Sequence, residues 1–245
     1  MRSSNSLRII GAVATLLVAA QAQATIAYNF GTSLVGNQSG TFSLGTEFTV
    51  GTTPIDVTAL GAFDPGDAKF TGTGIQVAIY KLTLSGTTIT GSTLETPSVS
   101  FLGQYTDVAG TSTAMQNITP VKLTAGTYMV VANHYGSGGV LNDYNPYYGP
   151  GGGVNNASAN NASGVTFIAG GGYYNTSSGL SWGSSLGSGW VYDNAFNKSA
   201  PRYAAGNFEF TPVPEVAAFG AAGVGLLGLV YIGRYARLRR TMKLA

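Results

Sequence analysis

In several segments between residues 41 and 135 the apolar side chains recur at every second position, and no part of the body repeats with a helical period of 3.6. That alternation commits the chain to strands. Over 41–50, Phe42, Leu44, Phe48 and Val50 fall on one face, while Ser43, Glu47 and Thr49 fall on the other. Over 55–63, Ile55, Val57 and Ala59 oppose Asp56 and Thr58. The stretch 75–84 is apolar on both faces, with Ile75, Val77 and Ile79 on one and Ala78, Tyr80 and Leu82 on the other, which predicts a central strand. Gly86-Thr87-Thr88 reads as a turn. A strand over 97–105 follows, with Val99, Phe101 and Tyr105 in phase, and then a slack polar link to Gln116. Residues 118–123 and 127–135 flank Thr124-Ala125-Gly126 and read as a core strand pair, because Tyr128, Val130 and Ala132 alternate with Met129, Val131 and Asn133.

Composition agrees with an all-β body. Only 9% of the 245 residues are charged, glycine numbers 36 and cysteine is absent. Disulfides and thiolate metal sites are thereby excluded, and stability must come from burial, hydrogen bonds or bound ions. From 136 to 197 the chain turns to Gly, Asn, Ser and Tyr. Strands over 165–168 and 190–192 are expected there among long Gly-rich loops, with Gly149–Gly153 before the first strand and Gly170–Gly172 between the two.

The ends carry different signals. Arg2 and Arg8 precede an apolar stretch from Ile9 to Ala20, and Ala22-Gln23-Ala24 supplies small residues at a cleavage position, so 1–24 reads as a secretory signal peptide. Residues 216–233 hold no charge and are long enough to cross a bilayer as one helix. Arg234, Arg237, Arg239 and Arg240 follow, which predicts a cytoplasmic end and an outward-facing body. Once these segments are set aside, the formal charge of +2 becomes −4 for residues 25–212, five cations against nine acids. A mildly acidic body without a basic stripe offers no footprint for nucleic acid.

Val213-Pro214-Glu215, the charge-free run and the arginine cluster together resemble the PEP-CTERM sorting signal of Gram-negative bacteria that make exopolysaccharide. The resemblance covers residues 213–245. It implies recognition by an exosortase-type enzyme, transient residence in the inner membrane through the helix, and delivery to the cell surface or extracellular matrix. Val216 stands where that family has its second proline. Leu60-Gly-Ala-Phe-Asp64, Val77-Ala-Ile-Tyr80 and Leu123-Thr-Ala-Gly-Thr-Tyr128 resemble a β-sandwich module common in the cargo of this pathway. That likeness implies an antiparallel jelly-roll-like sandwich over 25–212 and brings no catalytic residues.

Candidate chemistry in the body is sparse. Tyr147, Tyr148 and Tyr174, set among Gly and Asn, suit contact with a carbohydrate such as exopolysaccharide, since rings stack on sugar faces while amides bond hydroxyls. The bland alternative is that the aromatics complete the core. Asp64 and Asp67, in Asp-Pro-Gly-Asp, could supply two carboxylates to Ca²⁺, or simply form a turn. No other cofactor is implied. A Ser/His/Asp assembly would have to use His134, the single histidine, and no nucleophile elbow accompanies it. Asp143 or Asp193 with Glu209 is the carboxylate pair that a carbohydrate-active enzyme on this body would use. The expected function is a structural or adhesive role at the surface, without catalysis; a carbohydrate-active enzyme or carbohydrate-binding module is the alternative.

Overall fold

The computed structural model describes residues 23–29, 38–39, 42–64, 69–135, 144–145, 158–159, 164–176, 183, 185–193, 203 and 205–213. These residues are all-β and antiparallel, with no helix among them. In chain order the strands are β1 (Thr25–Ile26), β2 (Tyr28–Asn29), β3 (Gln38–Ser39), β4 (Phe42–Val50), β5 (Ile55–Phe63), β6 (Phe70–Ser85), β7 (Thr88–Leu94), β8 (Val99–Gly103), β9 (Thr113–Leu123), β10 (Gly126–Tyr135), β11 (Tyr144–Asn145), β12 (Ser158–Ala159), β13 (Val165–Asn175), β14 (Val191–Asp193) and β15 (Gly206–Pro212). Seven of them form the larger sheet, in the order β14-β13-β4-β10-β6-β7 with β8 also on β6. The smaller sheet runs β1-β15-β5-β9, and β11-β3 and β12-β2 form two short ribbons.

The two main sheets share one core, because each strand turns its apolar residues toward the other sheet. Leu44, Phe48 and Val50 of β4 and Tyr128, Val130 and Ala132 of β10 meet Ile55 and Val57 of β5 and Phe208 and Phe210 of β15. All are buried. As the double-sided pattern of 75–84 predicts, β6 is internal, with β10 on one side and β7 and β8 on the other.

Several expectations are corrected by the pairing. The segments around Thr124-Ala125-Gly126 do not pair with each other: β9 joins β5 in the smaller sheet, whereas β10 lies between β4 and β6 in the larger one. The turn therefore passes the chain from one sheet to the other. β9 is an edge strand, buried at its two ends and part-exposed between them, that begins at Thr113, inside the expected polar link, and it accommodates Pro120, as an edge strand can. In β5 the register slips between Val57 and Ala59, so Leu60 and Ala62, rather than Ala59, continue the inward face begun by Ile55 and Val57. β7 has no counterpart among the strands expected from the alternation. Gly86 at φ 59 takes the first central position of the two-residue turn from Ser85 to Thr88, the place where a type II′ hairpin needs a glycine, and β7 folds back onto β6. Gly170–Gly172, expected in a loop, lies within β13, where the register with β4 shifts between Phe167 and Gly172.

Candidate functional site

The outer face of the larger sheet also carries an apolar cluster. Ala78, Tyr80 and Leu82 of β6, Met129 and Val131 of β10 and Tyr173 of β13 form a second buried cluster there. Such a face requires a cover. Residues 186–192 supply it: Leu186 is buried in the cluster, and Trp190 and Tyr192 pack against it half-buried. Polar contacts hold this strap. The Leu186 N–H donates to Ser92 Oγ at 2.8 Å, Asn175 Nδ2 to the Ser188 carbonyl at 3.2 Å and Trp190 Nε1 to the Leu186 carbonyl at 3.3 Å. The Tyr173 and Tyr192 rings meet at 5.0 Å, tilted 60°. At Gly45 the absent side chain makes room for Met129, whose Cγ lies 2.8 Å from where a Cβ would be.

Glu47 sits in the middle of this face with only 7% of its surface exposed. Its alternation with Phe48 places it outward, where sequence alone assigns it to solvent. Met129 is its register partner on β10, and on the other side residues 168–171 of β13 bulge opposite it. Burial pushes the Glu47 carboxyl above the usual carboxylate range, an effect that the nearby Tyr173 hydroxyl opposes. Burial also raises Tyr80, to about 12. For Tyr173 and Tyr192 the shift is upward as well, first through burial and then through the Glu47 charge.

A second polar locus lies where the two sheets meet at Asp64, which is fully buried. The Asp64 N–H donates to the Ser112 carbonyl at 3.1 Å. The Tyr135 hydroxyl is directed at two carbonyls, Phe63 at 2.9 Å and Ala205 at 3.1 Å, and Asn207 Nδ2 donates to Thr113 Oγ1 at 3.3 Å. Burial, reinforced by the Asp64 charge, holds the Tyr135 hydroxyl well above its ordinary range. Tyr135 thus serves as a neutral donor that ties β10 to the end of β5 and to Ala205. Tyr135→Phe is expected to cost about 0.5–1.5 kcal/mol by removing this donor, the Ala205 carbonyl keeping the Phe63 N–H at 3.0 Å, read from denaturant midpoints.

Among the described residues, those singled out by sequence are not gathered into one site. Tyr174 is half-buried against the shared core, its ring edge-on to Phe42 at 6.4 Å and to Tyr203 at 6.2 Å, so it acts in packing; Tyr147 and Tyr148 lie outside the described residues. Asp67 also lies outside them. Among the described residues no group of three or more acidic or histidine side chains is placed to hold a metal. Asp193 is on β14 at the edge of the larger sheet and Glu209 on β15 in the smaller one, while Asp143 is outside the described residues.

His134 takes the left-handed conformation at φ 76, in the bulge between Ala132 and Tyr135. Its Nδ1 lies 3.0 Å from the Gly74 carbonyl, a pairing that requires Nδ1–H as donor. The ring thereby links two adjacent strands. Of the sorting motif, Val213 is described: its N–H donates to the Pro54 carbonyl at 2.9 Å, extending the β15 ladder by one bond. Pro214, which has no N–H to continue it, comes next. Pro214, Glu215, the expected helix 216–233 and Arg234, Arg237, Arg239 and Arg240 lie outside the described residues. Among the described residues no helix is long and apolar enough to cross a membrane. Glu47, which sequence reasoning passes over, leaves one signal: a chain whose neighbouring strands are apolar on both faces must bury both. No family model, curated protein or solved structure matches the chain.

Proposed function

We propose that this chain is an exported bacterial surface protein whose body, a jelly-roll-like β-sandwich over 25–212, has a structural or adhesive role in the envelope or an exopolysaccharide matrix. A signal peptide over 1–24 exports it. The segment 213–245 sorts it, with Pro214 and Glu215 read by an exosortase-type enzyme, helix 216–233 in the inner membrane before processing, and the arginines as a cytoplasmic stop. The observation that carries this reading is the order of Pro-Glu, charge-free run and arginine cluster within about thirty residues. Two polar side chains of the body have an architectural use that suits a structural role: Tyr135 and His134 both direct their donors at backbone carbonyls of neighbouring segments.

Intact-mass analysis of the native protein after cell fractionation tests the proposal. The expected product lacks residues 1–24, ends close to Glu215, and is found at the surface or in the medium. A full-length chain resident in the inner membrane would overturn the sorting role.

A further inference from the structure

We propose that the end of the sandwich from which the chain leaves β15 is a membrane-facing surface that seats the body on anionic phospholipid headgroups before processing, an inference that rests on reading 216–233 as a membrane helix. β15 stays in its ladder up to that segment. Its register with β5 runs to Pro212 opposite Ile55, and the Val213 N–H still donates to the Pro54 carbonyl at 2.9 Å. From Val213 to the first residue of the charge-free run is three steps of chain, a reach of about 11 Å when fully extended. The headgroup layer is itself about 5–8 Å thick on each side of the hydrocarbon core. The difference is a few ångströms, so the body cannot stand clear and this end meets the headgroups.

Pairing identifies what else lies at this end. The Gly51 N–H donates to the Gly164 carbonyl at 2.7 Å, Gly126 stands opposite Val50, and Leu123 opposite Ile55. The 51–54 and 124–125 loops therefore lie beside the exit of the chain, uncharged, with Thr52, Thr124 and Ala125 exposed. Three charged side chains reach this end from the flanking strands. Lys122 is exposed, Lys81 Cε lies 3.1 Å from where a Gly126 Cβ would stand, and Asp56 is the register partner of Lys122. At the other end of the nine-residue β5, about 30 Å away, the balance reverses. Asp64 follows Phe63 there, and Asp107 precedes Val108, whose N–H donates to the carbonyl of Thr113, the register partner of Phe63; Lys69, just before β6, is the cation on that side. Lysines are drawn to an anionic lipid surface within a Debye length of it. A body of net charge −4 over 25–212 approaches such a surface most favourably with its cationic end first, and that is the end from which the tail leaves.

Because the chain has no cysteine, the full-length protein can carry a single dye, through Thr52→Cys at this end or Ala109→Cys in the exposed turn at the other. Each is reconstituted in phosphatidylglycerol-containing vesicles with a quencher on the lipid headgroups. The residue-52 dye is expected to be quenched several-fold more than the residue-109 dye. A second pair of chains carries a flexible Gly-Ser linker between Val213 and Pro214, which removes the short tether and leaves the surface intact. Such a linker still holds the body at a millimolar effective concentration. The residue-52 dye should therefore stay quenched on anionic vesicles, and lose that quenching in Lys122→Glu and on zwitterionic vesicles, where the protein itself is unaltered. A chain that does not float with the vesicles refutes the membrane reading and the seating together. The seating alone is overturned, with the membrane reading left standing, if a floating chain shows both dyes equally quenched, if the linker abolishes the contrast on anionic vesicles, or if the linker chain is quenched as much on zwitterionic ones.

Discussion

Phe48→Ala is expected to lower the stability of the body by about 3–5 kcal/mol, the usual cost of removing a large aromatic side chain from a closed core. Phe48 is fully buried and joins four strands across both sheets. Its ring stacks on Tyr128 of β10 at 5.6 Å and touches Phe167 of β13 at 5.7 Å and Phe208 of β15 at 4.8 Å. Phe208 in turn contacts Phe210 at 5.7 Å. A cavity at this node cannot be filled by one neighbour's relaxation, because its walls belong to two sheets held by separate ladders. Urea denaturation of wild type and variant, compared at equal m-value, measures the loss. A difference below about 1 kcal/mol would mean that the two sheets do not depend on this contact.

The second large effect is expected at Gly74. Its φ of 72 lies in the left-handed region, and a Cβ there would stand 3.1 Å from the Phe101 carbonyl carbon and closer still to its oxygen. Backbone cannot step aside as a side-chain tip can, so Gly74→Ala combines left-handed strain with a clash against β8, together about 2–5 kcal/mol. Gly86 provides the control. It has φ 59 with nothing within 4 Å of where a Cβ would stand, so Gly86→Ala carries the strain alone, about 1–2 kcal/mol. The difference between the two melts isolates the clash. Equal costs would show that β8 yields. Because the Gly74 carbonyl also accepts from the His134 ring, Gly74→Ala should disturb the paired bulges of β6 and β10 as well.

Strand positions are legible where burial is decided by the strand's own pattern. Phe42, Leu44, Phe48 and Val50 take the inward face that their spacing predicts, because a two-residue period leaves one face no alternative once a core exists. Phase is lost where a bulge intervenes, as at Thr58 and across 168–171, since an inserted residue leaves no mark in hydrophobicity itself. Partners are less legible than positions. The close spacing of β9 and β10 looks like a hairpin, yet the chain changes sheets there; a short turn fits either outcome, and only the competing pairs, β9 with β5 and β10 with β4 and β6, separate them.

The candidate site is the least legible feature. Tyr174 stands out in the sequence as an aromatic among glycines, and in the fold it packs edge-on against Phe42 and Tyr203. Glu47, placed on the polar face of its strand, is buried beside Met129 on the face of Tyr173, which lies more than a hundred residues further along the chain. Sequence by itself determined an all-β, cysteine-free body with period-two strands and two apolar faces on its central strand, because those properties depend on residues adjacent in the chain. Tertiary structure alone decided which strands became neighbours, where the bulges fell and which charge was taken out of water. These depend on long-range pairing, and a sheet face acquires its solvent, or loses it, only when a distant segment folds across it.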